Sequence, residues 1–229
     1  MKSLVIVAML GGAASAGPAE DTLAKVQAFY KNAAQLSADF RQTVTVKAFG
    51  TQEANDGTLW VTKPVKLRAE YRQKAKPPLK KEFIFDGKFA WYVDHINKSI
   101  NKSPANADVL PAAVSFLTGG DQLQKEYTVA VDTSKTYGDT VLVLTPKQPS
   151  ASVAKLYFGY DPKDFHIRRS VVVDPKGDVN DFALYEPKVR AVASATLFSF
   201  DPKSLPLYKL QGYAAATAGS GSATAPAKR

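Results

Sequence analysis

Hydrophobic and polar positions alternate with different periods along this chain, and each change of period marks an element. Over residues 20–36 the apolar side chains Leu23, Val26, Phe29, Tyr30 and Ala33 recur every three or four residues, which predicts one amphipathic helix. Asp21 is placed to cap it, and Glu20 and Asp21 suit the positive end of a helix dipole. From residue 37 to 49 the period falls to two: Ala38, Phe40, Gln42, Val44 and Val46 alternate with Asp39, Arg41, Thr43, Thr45 and Lys47, as in a half-buried strand. Residues 50–57 read as a turn closed by Asp56-Gly57. In 57–63, Leu59, Val61 and Lys63 share one face and Trp60 and Thr62 the other, before Pro64 interrupts. In 65–72, Leu67, Ala69 and Tyr71 alternate with charged residues.

Hairpin signals continue. Residues 83–86, the Asp86-Gly87 turn and residues 88–93 form one hairpin, and 96–102 another short strand. Residues 101–117 change character: Pro104 and Pro111 flank short helical pieces, which Gly119-Gly120 ends. Strand patterns return at 126–132, 140–145, 154–160, 165–173 and 179–189, with a last one at 196–200 before Asp201-Pro202. The sum predicts a mainly β fold with a helical lid (α+β). It is an incomplete, strongly curved antiparallel β-barrel of about eleven strands, with an N-terminal helix and a mid-chain helical insertion on the concave side.

Composition sets the boundaries. Lys2, the apolar run 4–14 and Ala14-Ser15-Ala16 have the form of a signal peptide, with cleavage expected after Ala16. Residues 17–213 then make one half-barrel domain, and the Ala/Gly/Ser/Thr-rich 214–229 a disordered tail. The chain has no cysteine, which excludes thiol catalysis, zinc-thiolate sites and a lipid-modified N-terminal Cys. Its charge of +9 admits an anionic partner such as nucleic acid, lipid headgroups or acidic protein. The scatter of Lys and Arg favours the plainer reading, a basic solvated surface, and the densest cluster, 74–81 beside Pro77-Pro78, reads as a loop.

Candidate chemistry is sparse. His95 and His166, the only histidines, sit in no metal-ligand frame and read as surface residues. Gly219-Ser220-Gly221-Ser222 lies in the tail, away from any strand-to-helix elbow. Asp178 and Asp181 could pair as glycosidase carboxylates, but a hairpin beside Pro175 explains them equally well. No enzyme signature, metal site or cofactor is expected. Trp60, Tyr71, Phe83, Phe85, Trp91 and Tyr92 are ordinary core by default. A long sheet with one main helix, and a lid-like 109–117, favour a cavity instead.

Several short pieces, in order, resemble the outer-membrane lipoprotein carrier family, the LolA-type proteins of the bacterial periplasm. They are Phe40-Arg41-Gln42; Gly57-Thr58-Leu59-Trp60 leading to Lys63-Pro64; Asp86-Gly87-Lys88 with Trp91-Tyr92; Leu110-Pro111; Leu144-Thr145-Pro146; and Phe198-Ser199-Phe200 ahead of Asp201-Pro202. The similarity runs from about Leu23 to Pro206. It implies a half-barrel closed by helices acting as a lid, and a monomeric periplasmic carrier without nucleic acid. Its partners would be acylated lipoproteins, an inner-membrane ABC-type lipoprotein-releasing complex, and an outer-membrane receptor lipoprotein or the membrane. The resemblance places Phe40, Leu59, Val61, Leu67, Tyr71 and Trp91 in the lipid-binding cavity, and Val109, Leu110, Val114 and Leu117 on the lid. Lys63 stands where the family often has an Arg linked with holding the lid shut. It is therefore a lid-locking candidate, or else a strand-end charge in solvent. Two alternatives stay open on the same half-barrel: a sensor or regulator of signalling, and a glycolipid carrier. An esterase-like enzyme is the third.

Overall fold

The computed structural model describes residues 17–73, 76–104, 122–190 and 194–212. Helix α1 spans Pro18–Asn32. Pro18 opens it with a fixed φ and no wasted N–H, and Glu20 and Asp21 meet the positive end of its dipole. The N-cap is Gly17, not the expected Asp21, which lies inside the first turn. The helix also stops short of Leu36, because Gln35 and Leu36 are taken into a strand that pairs on both sides.

That strand is β1, Gln35–Val46, followed by a 3-10 turn at Lys47–Phe49. Gly50 closes the turn in the left-handed region (φ 60°), which glycine enters without a Cβ penalty. β2 then runs Thr51–Thr62, so 51–57, expected as a turn, is strand. The polar residues there fail the alternation test because this arm is exposed at its outer end, while its backbone pairs with β1 from Val46↔Thr51 onward.

β3 (Lys66–Gln73), β4 (Lys76–Phe85), β5 (Phe89–Asp94) and β6 (Ser99–Pro104) follow as antiparallel neighbours. The basic stretch read as a loop is thus mostly the start of β4. Its two prolines fall where the β3–β4 register slips, the place a strand tolerates them. After the short helix α2 (Gln122–Glu126) come β7 (Tyr127–Val131), β8 (Val141–Pro146), β9 (Lys155–Tyr160), β10 (Ile167–Val173) and β11 (Val179–Arg190). Residues 196–200 are not the expected strand but part of a 3-10 turn, Ala195–Phe198, and its exit. A second 3-10 turn, Pro202–Ser204, leads to an unforeseen strand, β12, Lys209–Gly212.

Among the described residues, twelve strands form one open, curved sheet in the order β12-β6-β5-β4-β3-β2-β1-β11-β10-β9-β8-β7. Every neighbouring pair is antiparallel except β12 and β6. Helix α1 packs on one face, called inner here. Leu23, Val26 and Tyr30 join Phe40, Leu59, Leu67, Leu156, Phe158 and Leu184 in one buried cluster. A smaller cluster, Ile84, Trp91, Val93 and Ile100, lies on the opposite, outer face under Phe200, Leu205 and Tyr208 of the C-terminal segment. Residues 1–16, 109–117 and 214–229, on which the signal peptide, lid and tail were expected, lie outside the described residues.

Candidate functional site

The inner wall is built by register. Phe40 on β1 stands opposite Gly57 on β2 and Leu184 on β11. A Cβ on Gly57 would come within 2.3 Å of the Phe40 ring and 2.2 Å of the Glu70 carbonyl. The glycine read as a turn residue therefore makes room for an aromatic ring. Phe40 meets Tyr71 edge-on, with centroids 5.1 Å apart, and Phe182 at 4.6 Å. Next along, Leu59 pairs with Ala69, Val61 with Leu67, and Leu67 with Phe85. Phe40, Leu59, Val61 and Leu67 are all buried in the inner cluster, and Tyr71 packs against it. The other flank adds Phe182, Phe158, Leu156 and Leu142, which sequence reading passed over. Their signal was present in the alternation of Phe182 and Leu184, but nothing local says which wall they share.

Helix α1 closes over this wall. The N–H of Ile167 on β10 donates to the Tyr30 hydroxyl at 2.8 Å, tying the helix to the far half of the sheet. Burial pushes the phenols of Tyr30 and Tyr71 well above their ordinary range, so both stay neutral. Ser170, fully buried and paired with Phe182 and Phe158, has a hydroxyl oxygen without a hydrogen-bond partner among the described residues.

Trp91 needs correction as a cavity residue, and Lys63 as a charge in solvent. Trp91 is not on the inner wall. It pairs with Ile84, which pairs with Arg68, which pairs with Trp60, so all four share the outer face. There the Trp91 ring meets Phe200 at 5.3 Å, and its indole N–H donates to Asp86 at 3.0 Å. Lys63 is neither a free strand-end charge nor joined to a described lid residue. Its ammonium donates to the carbonyls of Tyr30 (2.6 Å) and Lys31 (2.5 Å), the last turn of α1. Those carbonyls lie in the last turn of α1, at the negative end of its dipole, so a lysine is held there. Burial, and then the charge of Lys31, lowers its pKa from the ordinary lysine value.

The histidines are likewise less exposed than expected. His95 is bonded to Glu82 (2.8 Å) and to the Tyr208 hydroxyl (3.0 Å). His166 lies in the turn before β10, not on a strand, with Asp164 at 2.5 Å and the Phe29 ring at 6.1 Å. Asp161, Asp164 and His166 bring three ligand atoms within 4.8 Å of one another. Asp161, however, already holds Arg168 and the Lys163 N–H. Asp178 accepts from the Lys47 N–H at 2.8 Å, and Asp181 takes both arms of Arg169. Each carboxylate thus has a structural partner. A recess of about 320 Å³ lies around Arg41, Asp56, Thr58 and Tyr185, with the Arg41–Asp56 ion pair in its lining.

Comparison with known proteins agrees with this architecture. The model of the family described as "Outer membrane lipoprotein carrier protein LolA" matches residues 31–201. An outer-membrane lipoprotein carrier protein of Chromobacterium violaceum is 25% identical over 189 residues, 82% of this chain and 87% of that protein. One of Dechloromonas aromatica is 24% identical over 174 residues, covering 76% and 80%. Among solved structures, an uncharacterized conserved protein from Thermus thermophilus shares the fold with a TM-score of 0.52 at 14% identity, covering 86% of this chain and 100% of that one. With the model matched across most of the sheet, the chain belongs to the LolA family of outer-membrane lipoprotein carrier proteins.

Proposed function

We propose that this protein is a non-enzymatic periplasmic carrier that shields the acyl chains of lipoproteins and moves them from the inner to the outer membrane. The observation that carries the reading is membership of the carrier family over residues 31–201. The structure supports it with a wall of Phe40, Leu59, Val61, Leu67 and Tyr71 under an amphipathic helix. A buried methylene contributes about 0.8 kcal/mol, so acyl chains cannot cross water unshielded. The wall is buried here, with Phe40 and Leu59 each 1% exposed, so cargo reaches it only when its cover moves. Helix α1 is one part of that cover, and Lys63 steadies it. Val109, Leu110, Val114 and Leu117 act as a second part. Loading comes from an ABC-type releasing complex in the inner membrane, and delivery goes to an outer-membrane receptor or the bilayer. The protein works as a monomer without a cofactor.

The test is stoichiometric capture. A purified triacylated lipoprotein in detergent is mixed with the protein, the detergent is removed, and the mixture is resolved by size and native mass spectrometry. A one-to-one complex is expected, absent for the same lipoprotein made without acyl chains. Equal capture of both forms, or capture of free glycolipid in preference to acylated protein, would overturn the reading.

A further inference from the structure

The corner where the β5–β6 turn meets the C-terminal segment combines features that the inner wall does not use. Leu207, Ile96 and Leu210 are 80%, 63% and 57% exposed. They belong to one corner: Lys209 N–H donates to the Lys98 carbonyl at 2.9 Å, and Tyr208, next to Leu207, bonds His95, next to Ile96. Leu210 extends the corner along β12, in register with Ile100.

Hydrogen bonds and packing hold the backbone of the corner. Asp94 is buried, and its oxygens accept the N–H groups of Ile96 and Asn97 and the Asn97 amide, all at 2.9 Å. Leu205 and Tyr208 pack into the outer cluster and hold the turn that projects Leu207. Apolar side chains presented on fixed backbone lose little entropy on insertion into another phase.

Charge selects the phase. Lys98, Lys203 and Lys209 are exposed around the three apolar side chains. Of the nearby acids, Asp94 is committed to its turn and Glu82 lies beneath Arg68 and His95, leaving Asp201 as the exposed one. Projecting aliphatic tips among lysines match an interfacial layer of acyl chains beneath anionic headgroups. Lysine stems can lie along the apolar surface while their ammonium groups reach the phosphates.

We infer that this corner is a membrane-docking surface for an anionic phospholipid bilayer. It gives the proposed carrier a way to settle on a membrane independently of its cargo wall. Its purpose rests on the carrier reading, but the binding can be measured with no lipoprotein present, so each can fail alone.

The full chain is co-sedimented with vesicles of phosphatidylcholine containing phosphatidylglycerol, and with vesicles of phosphatidylcholine alone. Binding is expected only to the anionic vesicles and weakens in high salt. Leu207→Glu, or the triple replacement of Ile96, Leu207 and Leu210 by Glu, should reduce it at least ~10-fold. Each of Lys98→Gln, Lys203→Gln and Lys209→Gln should reduce it about fivefold at low salt. The altered side chains are exposed, so unchanged melting curves will show that folding is intact. The inference is overturned if the wild-type protein ignores anionic vesicles or if the triple variant binds them as well as wild type. It is also overturned if the corner instead drives concentration-dependent self-association that Leu207→Glu abolishes without any vesicle binding.

Discussion

The ammonium of Lys63 meets two carbonyls at the end of α1, where a helix leaves four acceptors without partners. Lys63→Met should cost about 1–2 kcal/mol in urea denaturation, while Lys63→Arg should keep most of the stability. Ser170 works in the opposite direction, since its buried hydroxyl oxygen has no partner among the described residues. Ser170→Ala should leave stability unchanged or raise it by up to about 1 kcal/mol, against the usual trend for core substitutions. Asp86 gives the pH dependence. Burial pushes its carboxyl up, but the N–H groups of Phe89 and Lys88 and the Trp91 indole outweigh that and hold it below the ordinary range. A depressed folded-state pKa contributes stability above the unfolded pKa, and that stability is lost as pH falls through the folded one. The urea midpoint should therefore drop on acidification below the usual carboxylate range, and Asp86→Asn should flatten part of that drop.

At the scale of elements, β5 carries the clearest lesson. Alternation along 89–93 separates Ala90 and Tyr92 from Phe89, Trp91 and Val93, and that division is visible in the sequence. Which set faces the inner wall depends on how β5 pairs with β4 and β4 with β3. A one-residue slip would exchange the faces, so local pattern could not place Trp91. Trp91→Ala should destabilise the fold by about 3–5 kcal/mol, since it empties the outer cluster. Lipoprotein capture by the surviving folded fraction should be unchanged, and loss of capture at full folding would return Trp91 to the wall. The strand β12 escaped sequence reading for a related reason. Four residues, Lys209–Gly212, have too little alternation to stand out, and they become a strand because β6 offers an unpaired edge.

For the molecule as a whole, the proposed carrier role turns on whether α1 moves. The β2 and β1 strands lie at the middle of the sheet order, and α1 bridges from Lys63 after β2 to Ile167 on β10. Tyr30→Phe removes the partner of a buried N–H and loosens that bridge. It should cost about 1–3 kcal/mol in global stability. If α1 moves during loading, acylated cargo should also be taken up faster by this variant. Stopped-flow uptake of a fluorescent acyl probe checks the rate, and slower or unchanged uptake would show that α1 stays in place.

By itself the sequence determined what depends on neighbours a few residues away. Helical spacing marked α1, period two marked most strands, and alternation grouped Leu59 with Val61 and Leu67 with Tyr71. The short pieces around Gly57 and Asp86 pointed to the family. Only the tertiary structure decided what depends on distant partners: the face α1 covers, the outer position of Trp91, and the α1 carbonyls that hold Lys63. It also decided the use of Gly57 as space for the Phe40 ring. Backbone periodicity is a local property, whereas register and burial arise from pairings between strands far apart in the chain.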